Sequence, residues 1–193
     1  GITLAEWVRR FRENPCPPQG CEKKADPVDI STGIFIMEKT DLILPGRMPV
    51  MIKRTYRTGD IGVGAFGTGA ALNYDSFIRT TGTQAIEFVL PDGGQYTLSQ
   101  QPDGSFLNDN YPFLGGVRAY RLLDGTFKLR FKDGTSHLFN AAGFLTEQQD
   151  PNGNKIAILR DASNNAVEIR EPSGRALTFT YQSINITRSQ TVS

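Results

Sequence analysis

Three stretches of this sequence hold residue types that do chemistry in other proteins. "GVGAFG", Gly62 to Gly67, fits G-x-G-x-x-G, the pattern that lets a backbone cradle a dinucleotide pyrophosphate at a helix N-terminus. That chemistry needs a helix opening directly from the loop. Here "TGAALNYDSFIRTTG" follows, broken within a few residues by Gly, Asn and Asp, so a turn between strands is expected instead. His137 is the one histidine. As the base of a Ser-His-Asp site it would need a nucleophilic serine, but there is no G-x-S-x-G elbow, and its setting, "GTSHLFN", reads as part of a strand. Cys16 and Cys21 are the only cysteines, in "PCPPQGC", where Pro17, Pro18 and Gly20 force a turn. They form a local disulfide in an oxidising compartment and remain free thiols in a reducing one. A closed zinc site needs four ligands, which these cysteines and a distant histidine do not supply. Carboxylates are plentiful, yet no pair stands out as the acid and nucleophile of a glycoside hydrolase. No catalytic role, cofactor or metal is expected.

The elements that would position such residues are almost all β. The chain has 193 residues with 20 glycines, 11 prolines and an apolar share of 38%, the composition of a turn-rich globular protein. A net charge of +1 argues against nucleic acid as a partner. No apolar run approaches the roughly 20 residues of a membrane span, and Gly1 to Asn14 lacks the apolar core and cleavage site of a signal peptide. The one helix is expected in "GITLAEWVRRFREN". Thr3 and Glu6 have capping-box spacing, and Leu4, Trp7, Val8 and Phe11 form an apolar stripe at i, i+3, i+4 and i+7. Asn14-Pro15 ends it. So short a helix is marginal alone in water, so its stripe docks on this protein, on another part of a larger assembly as a plug, or on a membrane surface. Residues 15–25 read as a Pro- and Cys-containing linker.

From Asp26 the pattern is strand and turn. "IFIMEKTDLIL" and "VMIKRTYR" flank the turn "PGRMP", which contains Gly46, and Gly33 marks a turn just before them. "AIEFVL" and "QYTL" flank "PDGG" as a hairpin, and in "TFKLRFK" Phe127, Leu129 and Phe131 alternate with Lys128, Arg130 and Lys132. Further on the chain repeats. Pro151 and Pro172 are 21 residues apart, as are Gly153 and Gly174, Asn140 and Asp161, and Ala141 and Ala162. Each unit is a strand, a tight turn ("NAAG" with Gly143, then "DASN"), a second strand and a Pro-x-Gly turn, and a third begins at "ALTFTYQ". Gly153 and Gly174 are expected at positive φ. Isolated hairpins cannot bury an apolar face, so the units must stack into one sheet. Tyr96, Phe127, Phe131, Phe139, Phe144, Phe179 and Tyr181 lie largely at alternating strand positions that read as core.

These residues carry a resemblance. "FNAAGFLTEQQDPNGN" resembles the YD repeat of Rhs proteins, with Phe139-Asn140 and Arg160-Asp161 in the place of the Tyr-Asp pair and Gly143-Phe144-Leu145 in that of Gly-Arg-Leu. "DPVDISTGIFIMEKTDLILPGRMPVMIKRTYRTG" is similar to the segment that opens the repeat region of Rhs and related polymorphic toxins. "FGTGAALNYD" resembles its Gly-x-Gly-Trp-x-x-Asn-Tyr element, with Ala70 where Trp is expected. The resemblance covers about Asp26 to Tyr181 and divides the chain into an opening β module, 26–124, and the first repeats, 125–193. It implies an all-β fold, the start of a coiled β-shell that encloses a C-terminal toxin until delivery, with residues 1–14 as plug. The implied partners are the remaining shell, the enclosed toxin and a secretion-apparatus spike or adaptor; the implied setting is a bacterial effector, cytoplasmic before export. The alternative is an adhesion or carbohydrate-binding β module, which exposed aromatics on one sheet face would favour. "NIT" at Asn185 is a glycosylation sequon only in a eukaryotic secretory route.

Overall fold

The computed structural model describes residues 34–58, 63–64, 66–108, 110 and 114–181. Leu4, Trp7, Val8 and Phe11, both cysteines, Gly33 and Asn185 lie outside the described residues. What is described is antiparallel β throughout. A three-stranded sheet is built from β1 (Ile36–Leu44), β2 (Val50–Arg57) and β5 (Ala70–Leu72), in the order β1-β2-β5. Between β2 and β5, "GVGAFG" contributes the two-residue strands β3 (Val63–Gly64) and β4 (Gly67–Thr68), which pair with each other. The loop therefore leads into a strand and not into a phosphate-binding helix.

The second sheet is a meander of eleven strands in chain order. It starts with β6 (Phe77–Thr80), β7 (Ala85–Val89), β8 (Gln95–Gln100), β9 (Phe106–Leu107) and β10 (Arg118–Arg121). It continues without a break through β11 (Phe127–Arg130), β12 (Ser136–Phe139), β13 (Leu145–Gln149), β14 (Lys155–Arg160), β15 (Ala166–Arg170) and β16 (Ala176–Thr178). Each strand is short because a turn stops it, and the turns share one design. In "PDGS", "LDGT", "KDGT", "DPNG" and "EPSG" the glycine N–H donates to the carbonyl three residues back, and the flanking pair closes the ladder. The glycine takes positive φ, +85° at Gly153 and +95° at Gly174, which is the left-handed bulge position of a three-residue hairpin loop. An acidic side chain at the first or third turn position accepts from the following backbone N–H groups, as Asp150 does from Asn152 and Asn154. The 21-residue period is thus a period of hairpin corners.

Side-chain alternation puts one face of this meander inside. Ile78, Ile86, Phe88, Leu98, Ala119, Leu129, Phe139, Leu145, Ile156 and Ile169 belong to one buried cluster, which Val50, Ile52 and Leu72 of the small sheet complete. The sheet curls over that cluster. Part of the curl comes from two bulges: Thr146 opposes no residue of β12, and Val167 opposes none of β14. Thr146 and Val167 are also 21 residues apart, so the unit repeats its bend as well as its turns, and an extra residue on one strand increases local twist and curvature.

Candidate functional site

The chemistry of this molecule concentrates where the sheet meets itself. In the turn after β12, Asn140 Oδ1 accepts the Phe144 N–H at 2.9 Å and the Gly143 N–H donates to the Asn140 carbonyl at 2.8 Å. Gly143 has φ +88°. Its own carbonyl accepts the Ile78 N–H at 2.8 Å, and Phe77 forms an antiparallel bridge to Phe144. The first strand of the meander, β6, is therefore hydrogen-bonded to the β12–β13 corner, and β14 to β16 run on past this seam. A Cβ on Gly143 would stand 1.9 Å from the Ile78 carbonyl oxygen, so glycine is required here by close approach as well as by φ.

Arg160 pins the seam from the next repeat. Its guanidinium donates to three backbone carbonyls in separate segments: Leu145 at 2.7 Å, Asn164 at 2.8 Å and Tyr74 at 2.6 Å. Asp75 stands 3.8 Å away and the Phe144 ring lies under the guanidinium carbon at 5.6 Å. The side chain is 4% exposed, and burial lowers the Arg160 pKa against the opposing pull of Asp75. Asp75 in turn accepts the Leu72 N–H at 2.8 Å. Asn164, 21 residues after Gly143, holds φ +63° without being glycine and receives a hydrogen bond from Asn140 Nδ2 at 3.1 Å. Tyr181 donates to the Ala166 carbonyl, and burial, followed by the Asp75 charge, pushes its pKa up to about 12.

A second contact ties the small sheet to the far end of the meander. At the bend between β1 and β2 the Pro45 carbonyl accepts from Arg175, and a Cβ on Gly46 would lie 2.9 Å from Glu171 Oε2. Glu171 also receives the Ser173 hydroxyl and the Ser173 and Arg175 backbone N–H groups. The Ser173 bonds, and then Arg175, hold its carboxyl at about 2.

The sequence-singled turn residues thus fall into place as contacts. Gly46 meets the turn that contains Pro172 and Gly174; a Cβ on Gly134 would lie 3.2 Å from Pro151; Gly143 carries the seam. Gly153 needs its φ alone, with no atom nearer than 3.7 Å to a Cβ. Arg160, Tyr74 and Asp75 were not legible as a set: Arg160 stands at the Tyr-Asp pair of one repeat and Tyr74-Asp75 at the end of "FGTGAALNYD", and nothing in the sequence brings the two places together. Asn164 left a further trace, as a residue tolerant of positive φ at the Gly143 position of the period. His137 lies within β12. It pairs with Leu129 and Gln148 on the core face, packs edge-on against Phe131 at 4.8 Å, and has a buried Nδ1 with no partner. Among the described residues no group of acidic, histidine or cysteine side chains is arranged to hold a metal, and no helix is long and apolar enough to cross a membrane. The arrangement at the seam fixes backbone to backbone.

Residues 25–98 match the family described as a domain of unknown function, DUF6531. The match contains the Tyr74, Asp75 and Ile78 half of the seam and stops within β8, so the Gly143 and Arg160 half lies beyond it. No curated protein matches the chain.

Proposed function

We propose that this chain is the closing end of a YD-repeat shell of the Rhs kind, acting by containment of a C-terminal toxin and not by catalysis. The observation that supports this most directly is the seam: the meander curls until β6 bonds to the β12–β13 corner and then continues past it. A sheet that overlaps its own start has no free edge at that point and keeps one growing edge at β16, as a spiral wall requires. The packed cluster inside the curl suits an end wall better than a hollow stretch. The 21-residue unit, repeated in turns and bulges, supplies the wall's building block. The adhesion reading finds less support, since Tyr96, Phe127, Phe139 and Phe144 are buried in the core instead of forming an aromatic platform.

The test uses the natural gene product with whatever follows these residues. Limited proteolysis should leave a C-terminal segment protected while the shell is intact, and that segment should be toxic when expressed alone. A C-terminal region that is cut freely, or that proves to be a wall anchor, would overturn containment.

A further inference from the structure

Asparagine is a thermolabile residue, and Asn152 is the only asparagine in the chain that glycine follows. It stands third in the β13–β14 corner, "DPNG", where Pro151, Asn152 and Gly153 are all exposed. A following glycine matters because its nitrogen has no Cβ beside it to hinder attack on the side-chain amide. The space around Gly153 is open as well: the nearest atom to a Cβ built there is Gln149 Nε2, at 3.7 Å. The Gly153 N–H donates to the Asp150 carbonyl at 3.1 Å, a longer bond than the 2.8 Å at the Gly143 corner.

Other asparagines in the corners are held differently. Asn140 Oδ1 accepts the Phe144 N–H while its Nδ2 donates to Asn164. Asn154 Nδ2 donates to Asp150, and Asn165 Nδ2 to Asp161. Ala141, Lys155 and Ala166 follow these three, each with a Cβ beside the attacking nitrogen. Asp103, Asp124 and Asp133 also precede glycine, but each accepts the N–H and hydroxyl of the residue two positions on. Those bonds lower the carboxyl pKa, and an ionised carboxylate has no neutral group to lose.

We propose that Asn152 is a site of spontaneous covalent modification, deamidating through a cyclic imide to aspartate and isoaspartate. The Gly153 nitrogen bonds to Asn152 Cγ as the Cγ–Nδ2 bond breaks, and the backbone proton leaves with Nδ2 as ammonia. Water then opens the imide. Addition at Cγ gives aspartate; addition at the main-chain carbonyl gives isoaspartate, in which the chain runs through the former side chain. Isoaspartate inserts a methylene into a loop whose length sets the register of β13 on β14. Either product places a second carboxylate beside Asp150, whose Oδ1 accepts the Asn152 and Asn154 N–H groups. The corner thus records the age of the molecule and becomes a substrate for carboxyl methyltransferases that act on isoaspartate. This chemistry needs neither a shell nor a toxin, so its failure would leave the containment proposal standing.

The test holds the intact 193-residue chain folded in neutral and in mildly alkaline buffer. Peptide mass spectrometry follows each asparagine, and methyl transfer from S-adenosylmethionine by a protein isoaspartate methyltransferase counts isoaspartate. Acid product should build up at Asn152 several-fold faster than at any other described asparagine, faster still in alkali, with isoaspartate among the products. Asn152→Ser, which copies the "EPSG" corner, should remove the methyl-accepting signal with the β circular-dichroism spectrum unchanged. Gly153→Ala should slow conversion several-fold; should that variant lose its fold, the comparison of sites in the wild-type chain decides alone. Conversion that begins only after urea unfolds the chain, conversion led by another asparagine, or aspartate formed without isoaspartate overturns the assignment.

Discussion

His137 shows how a strand position can decide the behaviour of a titratable group. Its place on the core face of β12, beside Phe131 and Phe139, makes the imidazolium costly, and burial lowers its pKa from 6.5 to about 4 despite the nearby Asp133. The unfolded chain takes up the proton near pH 6.5 and the folded chain only near pH 4, so stability is complete above the first value and declines as pH falls toward the second. At pH 5 the loss should be about 2 kcal/mol. Urea titrations at pH 7 and pH 5 measure it, and His137→Leu should flatten the slope in that window. The turn carboxylates, whose pKa values are lowered by hydrogen bonds from Ser, Thr and Asn neighbours, add their acid loss only below about pH 4. Arg160 is the other decisive residue. Arg160→Met removes the donor to three carbonyls and a buried positive charge beside Asp75, and should cost about 3–5 kcal/mol. Arg160→Lys should recover little of this, since an ammonium cannot span three carbonyls in the guanidinium's fork.

At the scale of elements, the hairpin corner is the unit that sequence reading finds well. Pro-x-Gly and Asp-Gly signal a turn because few residues tolerate its backbone, so Gly153 and Gly174 were legible one by one. The bulges at Thr146 and Val167 were not. A bulge is a mismatch between two strands, and neither strand's own sequence records it. The same limit separates Gly143 from Gly153. Both occupy positive φ, but only Gly143 lies against a strand that arrives from 65 residues earlier, at Ile78. Gly153→Ala should therefore cost about 1 kcal/mol through φ alone. Gly143→Ala should cost roughly 3 kcal/mol or more, with faster amide exchange at Ile78. Equal melting temperatures for the two variants would mean that the seam is not formed in solution.

For the whole molecule, the all-β class and the succession of hairpins could be read from turn chemistry and alternation, whereas the seam and the small sheet's place over the core could not. Those depend on which distant segments meet, and a single sequence states separations only within a repeat. The bond between Arg175 and Pro45 joins residues 130 apart. That separation fixes an order in time. Strands β10 to β16 contact their neighbours in the chain and can zip up as they are made. The β1–β2 hairpin must wait for Arg175 before its tip has a partner, roughly ten seconds at ordinary rates of synthesis. During that interval Leu42 and Ile43, exposed near the tip, are open to other nascent chains. Arg175→Ala should thus leave the meander's refolding rate nearly unchanged and accelerate unfolding, and its damage should appear most in cells, as aggregation of newly made protein.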